Sequence, residues 1–367
     1  MSGRRIAQVL GTTTGGIGTH VASVTRGFLE RGDRVSVYGP RATDEQFGFS
    51  AAGARFVPVE ISPTPHPLRD ATAIASLRRV LHATAGVAPD VVHAHGMRAG
   101  LVSRLARPAA SPLVVTWHTH LNPVGNKGKL LRAAEMAVAR GADVCLCTDP
   151  GQVGHLVDSG GRDVRCIPVV APPLAEPAVA VDQMKAQLGA TDRPLILSIS
   201  RLHPVKRLDV LIDAAARWAS LDPAPKVVIA GDGPLRRELS EHIHRTGADV
   251  TLLGHRTDPA DLLAAADIAV LTSDSEARPL FAQEALHAET PLVATRAGGT
   301  ADLVGDGALL VDTGDVDGVD ASVRRLLASP KLVTELVDAG RRQAKTWPSN
   351  KDSIDHLDAL YQELTGR

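Results

Sequence analysis

Short apolar runs alternate with amphipathic stretches along the whole 367-residue chain. That alternation limits the chain to a parallel, doubly wound α/β class. In the N-terminal half the strand-like runs are RIAQVLG, RVSVYGP, ARFVPVE, VVHAHG, PLVVTWHTH, ADVCLCT and DVRCIPVV. Between them, THVASVTRGFLERG carries Val21, Val24, Phe28 and Leu29 at helical spacing, with Gly32 as its stop. The segment 169–177, VVAPPLAEP, breaks the rhythm. Pro172, Pro173 and Pro177 suit an extended connector and oppose a helix or a central strand. Beyond it the strand-like runs PLILSIS, KVVIAG, VTLLG, DIAVLTS, PLVAT and ALLVD resume the pattern. Helices are expected over 207–219, from Pro234, near Ala260, near Leu280, over 317–345 and over 350–364. The length fits two domains of roughly 170–190 residues. Two α/β sheets joined by a proline-rich hinge are expected to face a central cleft, a favoured place for a ligand.

Composition removes several functions. The net charge of −1 and an aromatic content of 3% give neither the basic surface nor the stacking platforms of a nucleic-acid partner. The three cysteines, Cys145, Cys147 and Cys166, have no framework spacing and fit a reduced, cytoplasmic thiol set. MSGRRIAQVLG reads as a first strand rather than a secretory signal, and no window approaches about 20 uninterrupted apolar residues. The stretch NKGKLLRAAEMAVARG sets Lys127, Lys129, Arg132 and Arg140 near Leu130, Leu131 and Val138. It reads as a sheet-covering helix, with peripheral membrane contact as the alternative.

The chemistry concentrates in the loops after strands. GTTTGGIGTH follows the first strand and opens a helix, so its backbone can approach an anion. Gly11, Gly15, Gly16 and Gly18 do not fit G-x-G-x-x-G, and no acid follows the second strand at Tyr38-Gly39-Pro40, which argues against NAD. His118 and His120 lie on one side at the end of one strand, and His93 and His95 on one side of another. A four-histidine metal site lacks carboxylate partners at fitting spacing; His118 reads as a substrate contact and the others as core groups. Arg201 and Lys206 flank RLHPVK between a strand and a helix. One guanidinium and one ammonium match the two charges of a diphosphate, and basic residues at a helix start oppose the helix dipole unless an anion joins them. Glu276 and Glu284 stand eight positions apart in SDSEARPLFAQEALHAETPLVAT. Pro279 is expected to begin the helix that carries Glu284, leaving Glu276 on the loop before it.

In this order the motifs resemble the retaining glycosyltransferases of the GT-B fold, family 4 (glycosyl transferases group 1), related to bacterial mannosyl- and glucosyltransferases. The resemblance spans nearly the whole chain. Its most specific part is the E-x7-E element at Glu276 and Glu284, followed by EALHAETPLVATRAGG; SRLHPVK, IAGDGP, LLGHRTD, GGIGTH and VVHAHG fall in the family's order. It implies an acceptor-binding domain over 1–170, a donor-binding domain over 171–346, and a terminal helix over 347–367 that crosses back to the first domain. It also implies that Arg201 and Lys206 bind the donor diphosphate, Glu284 the ribose and Glu276 the donor sugar. His118 would lie beside the transferring sugar, and Gly16 would face the diphosphate or acceptor. Gly254, His255 and Arg256 would border the nucleobase, and Pro279, Leu280 and Phe281 would meet the phosphates at a helix start. The family is retaining and generally metal-independent, uses no cofactor, and takes a nucleotide diphosphate sugar, here UDP- or GDP-linked, as donor. The acceptor would be a sugar, a lipid-linked group or a small molecule. Where the family often has Glu-Gly-Phe-Gly, this chain has Glu276-Ala277-Arg278-Pro279, which removes one N–H and adds a charge, and Asp302 replaces a frequent glutamate. A sugar-nucleotide epimerase, a sugar phosphorylase and an inactive nucleotide-binding protein are the alternatives on the same fold.

Overall fold

The computed structural model describes residues 3–13, 15–83, 88–118 and 125–366, so His120 lies outside the described residues. The chain divides into two compact units, one of Met1–Pro172 with Pro348–Arg367, the other of Pro173–Trp347.

The first unit runs β1 Arg5–Leu10, α1 Gly16–Glu30, β2 Arg34–Gly39, α2 Arg41–Phe47, β3 Arg55–Pro58, α3 Pro67–Ala83, β4 Val91–His95, α4 Met97–Ala106, β5 Leu113–Trp117, α5 Gly125–Gly141, β6 Val144–Cys147, α6 Gln152–Asp158 and β7 Val164–Cys166. The strands form one parallel sheet in the order β3-β2-β1-β4-β5-β6-β7. Period-two alternation divides its side chains between two cores. Ala7 and Val9 join one with Val92, Ala94 and Val115. Ile6 and Leu10 join the other with Val91, Val114, Phe28 and Tyr361. Leu130, between Lys129 and Arg132 on α5, is exposed.

The second unit runs α7 Val181–Gln187, β8 Leu195–Ile199, α8 Leu208–Ala216, β9 Lys226–Ala230, α9 Arg236–Thr246, β10 Val250–Gly254, α10 Pro259–Ala265, β11 Ile268–Leu271, α11 Leu280–His287, β12 Leu292–Thr295, α12 Thr300–Val304, β13 Ala308–Val311, α13 Val316–Ala328 and α14 Pro330–Ala344. Its sheet is parallel, in the order β10-β9-β8-β11-β12-β13. Ile196 faces one core and Leu195 and Leu197 the other.

Several expected helix bounds shift for local reasons. The helix expected over 207–219 is α8, followed by a 3-10 turn Arg217–Ser220 whose Trp218 Nε1 donates to Asp320 at 2.7 Å. The helix expected from Pro234 starts at Arg236, because Pro234 and Leu235 form a turn whose Leu235 N–H donates to Leu202 O at 3.1 Å. The stretch 317–345 is two helices, since Ser329 caps α14 from Leu332 N and Pro330 cannot continue α13.

The last helix, α15 Asn350–Thr365, belongs to the first unit, so the terminal helix crosses back as the resemblance implies. A capping box between Ser349 and Asp352 starts it. Arg4, just before β1, bridges Asp33 (2.8 Å) and Asp358, and Arg165 on β7 pairs with Glu363 at 2.7 Å, both joining α15 to the sheet. None of the described helices is long and apolar enough to cross a membrane.

Candidate functional site

In each sheet the strand order reverses once, and at such a switch point two neighbouring loops diverge and open a crevice at the strands' carboxyl ends. In the second unit the reversal falls between β8 and β11. Register puts Ile199 level with Ala230, and Ala230 level with Gly254, so the loops after β8, β9 and β10 leave the sheet at one edge.

The loop after β8 carries Arg201 and a 3-10 turn, Pro204–Lys206, which ends because Arg207 turns left-handed at φ 44°. The loop after β11 carries Glu276. Hydrogen bonds join the two: Asp274 N donates to Val205 O at 2.8 Å and Thr272 Oγ1 to Lys206 O at 3.0 Å. Thr295 Oγ1, from β12, donates to Ser273 O at 2.6 Å. The result brings Lys206 Nζ onto Glu276 Oε1, which also accepts from Ser273 Oγ at 2.6 Å. Lys206 and Glu276 thus form a half-buried cation–carboxylate pair at the switch point. Arg201 is exposed and makes no ion pair among the described residues.

Two glycines let these loops close up. Gly298, at φ +52°, lies so close that an added Cβ would stand 2.0 Å from Glu276 O. Gly231 backs the Arg201 loop, where a Cβ would stand 1.9 Å from Ser200 O.

Pro279 is the N-cap of α11 rather than its first residue, and the first N–H groups of Leu280 and Phe281 lack intrahelical acceptors. They give this helix start a partial positive charge. One turn on, Glu284 is half-buried and has no hydrogen-bond or ionic partner among the described residues. Burial pushes its carboxyl up to about 7. Arg278 sets its guanidinium 6.0 Å from the Trp347 ring centroid. Gly254, at φ +79°, accepts from Gly231 N at 2.7 Å; His255 is exposed, and Arg256 is engaged by Asp258 at 2.7 Å.

In the first unit the reversal falls between β1 and β4. Gly16 is the exposed first residue of α1, after β1. His93, His95 and His118 come together, but on one another and on polar neighbours rather than as a metal set. His95 Nδ1 is 3.3 Å from His118 Nε2, and the His93 and His95 ring centroids are 4.2 Å apart. Among the described residues no group of three or more His, Cys, Asp and Glu is disposed to hold a metal ion. Sequence reasoning passed over His20, which completes the cluster: its buried ring meets His95 and His118 edge-on at 5.8 and 5.4 Å. Its signal was its place four residues after Gly16, one helical turn from a ligand loop. Burial lowers His20 to about 4 and His93 to about 3, and holds His95 and His118 well below the usual imidazole range. Burial thus disfavours the protonated form of all four rings.

Two doubly wound units, each with polar groups at its strand carboxyl ends, define the class of architecture: the GT-B fold. Residues 15–173 match the glycosyl transferase 4-like domain, and residues 181–343 match glycosyl transferases group 1. The D-inositol 3-phosphate glycosyltransferase of Geodermatophilus obscurus is 31% identical, over 95% of this chain and 84% of that protein. The Anabaena protein Alr3699/HepE, solved with UDP-glucose, superposes with a TM-score of 0.83 at 20% identity, covering 98% of this chain and all of that one. WaaG, a glycosyltransferase involved in lipopolysaccharide biosynthesis, gives 0.77 at 16% identity, over 99% of this chain and 100% of that one. The chain belongs to the glycosyl transferases group 1 family, and it is an enzyme that transfers sugars.

Proposed function

We propose that the protein transfers a hexose from a UDP-sugar to an acceptor hydroxyl with retention at the anomeric carbon and without a metal ion. The observation that carries this reading is the Lys206–Glu276 pair at the switch point, with Arg201 in the same loop as Lys206 and without an ion-pair partner among the described residues. Donor diphosphate joins Arg201, Lys206 and the N–H groups of Leu280 and Phe281, which follow Pro279. These groups stabilise the charge that develops on the departing phosphate oxygen, the task a metal performs elsewhere. Glu284 accepts from the ribose hydroxyls. Glu276, already held by Lys206 and Ser273, accepts from hydroxyls of the sugar. The nucleobase lies by Gly254, His255 and Arg256, Gly16 serves the diphosphate, and His118 serves the transferring sugar.

The acceptor hydroxyl attacks from the face the phosphate leaves. Its oxygen bonds to the anomeric carbon as the bond to the phosphate oxygen breaks, and its proton passes to that phosphate. Uridine is the base chosen because Alr3699/HepE was solved with UDP-glucose. Inositol 3-phosphate heads the acceptor panel because the Geodermatophilus relative is named for it.

The test incubates the enzyme with UDP-, GDP- and ADP-glucose and a panel of polyol and sugar acceptors, with and without a chelator, and reads product anomer by NMR. Retained configuration, chelator resistance and a UDP preference are expected, with Lys206→Ala lowering turnover by about 10²–10³ while the protein stays folded. An inverted product, a metal requirement or a fully active Lys206→Ala variant overturns the reading.

A further inference from the structure

A polar row runs through an otherwise apolar face of the first unit's sheet. Strand alternation sets Gln8 between Ile6 and Leu10, His93 and His95 after Val91, and Thr116 and His118 after Val114, all on the side that α1 and α15 cover. Gln8, His93, His95, Thr116 and Tyr361 are all buried.

These groups form one continuous chain of contacts. His118 Nε2 lies 3.3 Å from His95 Nδ1, and His95 Nε2 lies 2.6 Å from Gln8 Oε1. Gln8 Nε2 lies 3.4 Å from the Tyr361 hydroxyl, which lies 2.5 Å from His93 Nδ1. His93 Nε2 closes the row at 2.6 Å from Thr116 Oγ1.

A neutral imidazole has one N–H and one bare nitrogen, and a phenol has a single proton, so each link dictates the next. The Gln8 carbonyl can only accept, so His95 must carry its proton on Nε2. His95 Nδ1 is then bare and takes the Nε2 proton of His118. In the other direction the Gln8 amide donates to the Tyr361 oxygen. Tyr361 therefore gives its proton to His93 Nδ1, and His93 Nε2–H donates to Thr116. One orientation of one buried amide thus fixes three imidazole tautomers.

We infer that Gln8, His95 and Tyr361 are positioning residues that hold His118 as its Nε2–H tautomer, leaving Nδ1 as a bare acceptor for a hydroxyl of the transferring sugar. The part that concerns the sugar rests on the role proposed above for His118; the tautomer does not. Among the described residues His118 Nδ1 has no partner. His20 backs the ring by edge contact and makes no hydrogen bond of its own through Nε2. Tyr361 stands 353 residues from Gln8, so the terminal helix takes part in setting the proton pattern of a loop at the ligand end of the sheet.

The test uses the full-length protein labelled with ¹⁵N-histidine, without substrate. The ¹⁵N shifts and long-range ¹H–¹⁵N couplings are expected to show His118 wholly as the Nε2–H tautomer, with His118→Ala assigning the signal. Gln8→Met keeps the side-chain shape without the amide, and Tyr361→Phe keeps the ring that stacks 5.0 Å from Phe28. In both variants His118 is expected to become a mixture of tautomers. Turnover should fall roughly tenfold, the scale of one lost hydrogen bond, with UDP affinity unchanged. A wild-type His118 protonated on Nδ1, or a tautomer indifferent to both variants, overturns the inference. A tautomer that responds as expected while His118→Ala retains full activity sustains the network and removes only the proposed sugar contact.

Discussion

Glu284 is half-buried on α11 with no partner among the described residues, and burial pushes its carboxyl up to about 7 from an ordinary 4.5. Because the folded value is raised, its contribution to stability is fully present below about 4.5 and is lost as pH rises through about 7. The ionised form thus costs the empty protein up to about 3 kcal/mol at pH 8. On the role proposed for Glu284, ribose hydroxyls donate to the carboxylate and lower its pKa again, so UDP binding at pH 7 should release about half a proton. Calorimetry in buffers of different ionisation enthalpy measures that number. Affinity should tighten from pH 6 to 8, and Glu284→Gln should abolish both effects while stabilising the empty protein at pH 8. Zero proton release would remove Glu284 from the ribose. The residue types of this site were legible in the sequence, since Arg201, Lys206 and Glu276 stand in post-strand loops and Glu284 one turn into the helix that follows, in the order of a known family pattern. Their partners were not. Lys206 meets Glu276 across 70 residues and Gln8 meets Tyr361 across 353, and no local periodicity encodes such pairings. His20 is hidden in the sequence because a histidine on the inner face of a helix resembles a core residue until its ring neighbours are known.

At the scale of elements, strands were read more securely than helix ends. Fully buried parallel strands are near-continuous apolar runs with a clear signature, and all thirteen expected runs contain a strand of the two sheets. Helix starts depend on capping contacts instead. A proline after Gly-Asp-Gly suits a first helical residue, yet the N–H of the following Leu235 is used by Leu202 O, which delays α9 to Arg236. The Gly-Gly after β12 was visible only as part of a family pattern; its physical reason is steric. With φ at +52° and a hypothetical Cβ 2.0 Å from Glu276 O, position 298 tolerates only glycine while the Glu276 loop stays in place. Gly298→Ala is therefore expected to cost about 1–3 kcal/mol in denaturant unfolding. It should also lower turnover by displacing Glu276 from Lys206 and Ser273, and the fold read by far-UV circular dichroism should persist. A variant with wild-type stability and turnover would show that the close approach is not needed.

For the whole molecule, each unit holds its own pair of cores, and the last helix returns to the first unit rather than extending the second. The nucleotide groups proposed for the second unit lie in the loops after β8, β10 and β11 and in the first turns of α11. Among the nucleotide-binding residues proposed here, only Gly16 belongs to the first unit. Nucleotide binding should therefore stabilise the two units unequally. A ligand at about 100 times its dissociation constant stabilises what it binds by about 2.7 kcal/mol. Hydrogen exchange of the full chain with saturating UDP should accordingly slow at amides 200–207, 254–258 and 272–284, by up to about a hundredfold where exchange requires opening of the bound loops. In the first unit, slowing should be confined to amides 15–18 at the start of α1, with β4, β5 and α15 exchanging as in the empty protein. Protection centred on the first unit, or spread evenly through both, would place the diphosphate elsewhere and detach Arg201 and Lys206 from it. Unchanged exchange at 15–18 alone would release Gly16 from the diphosphate and leave its glycines to the turn that starts α1.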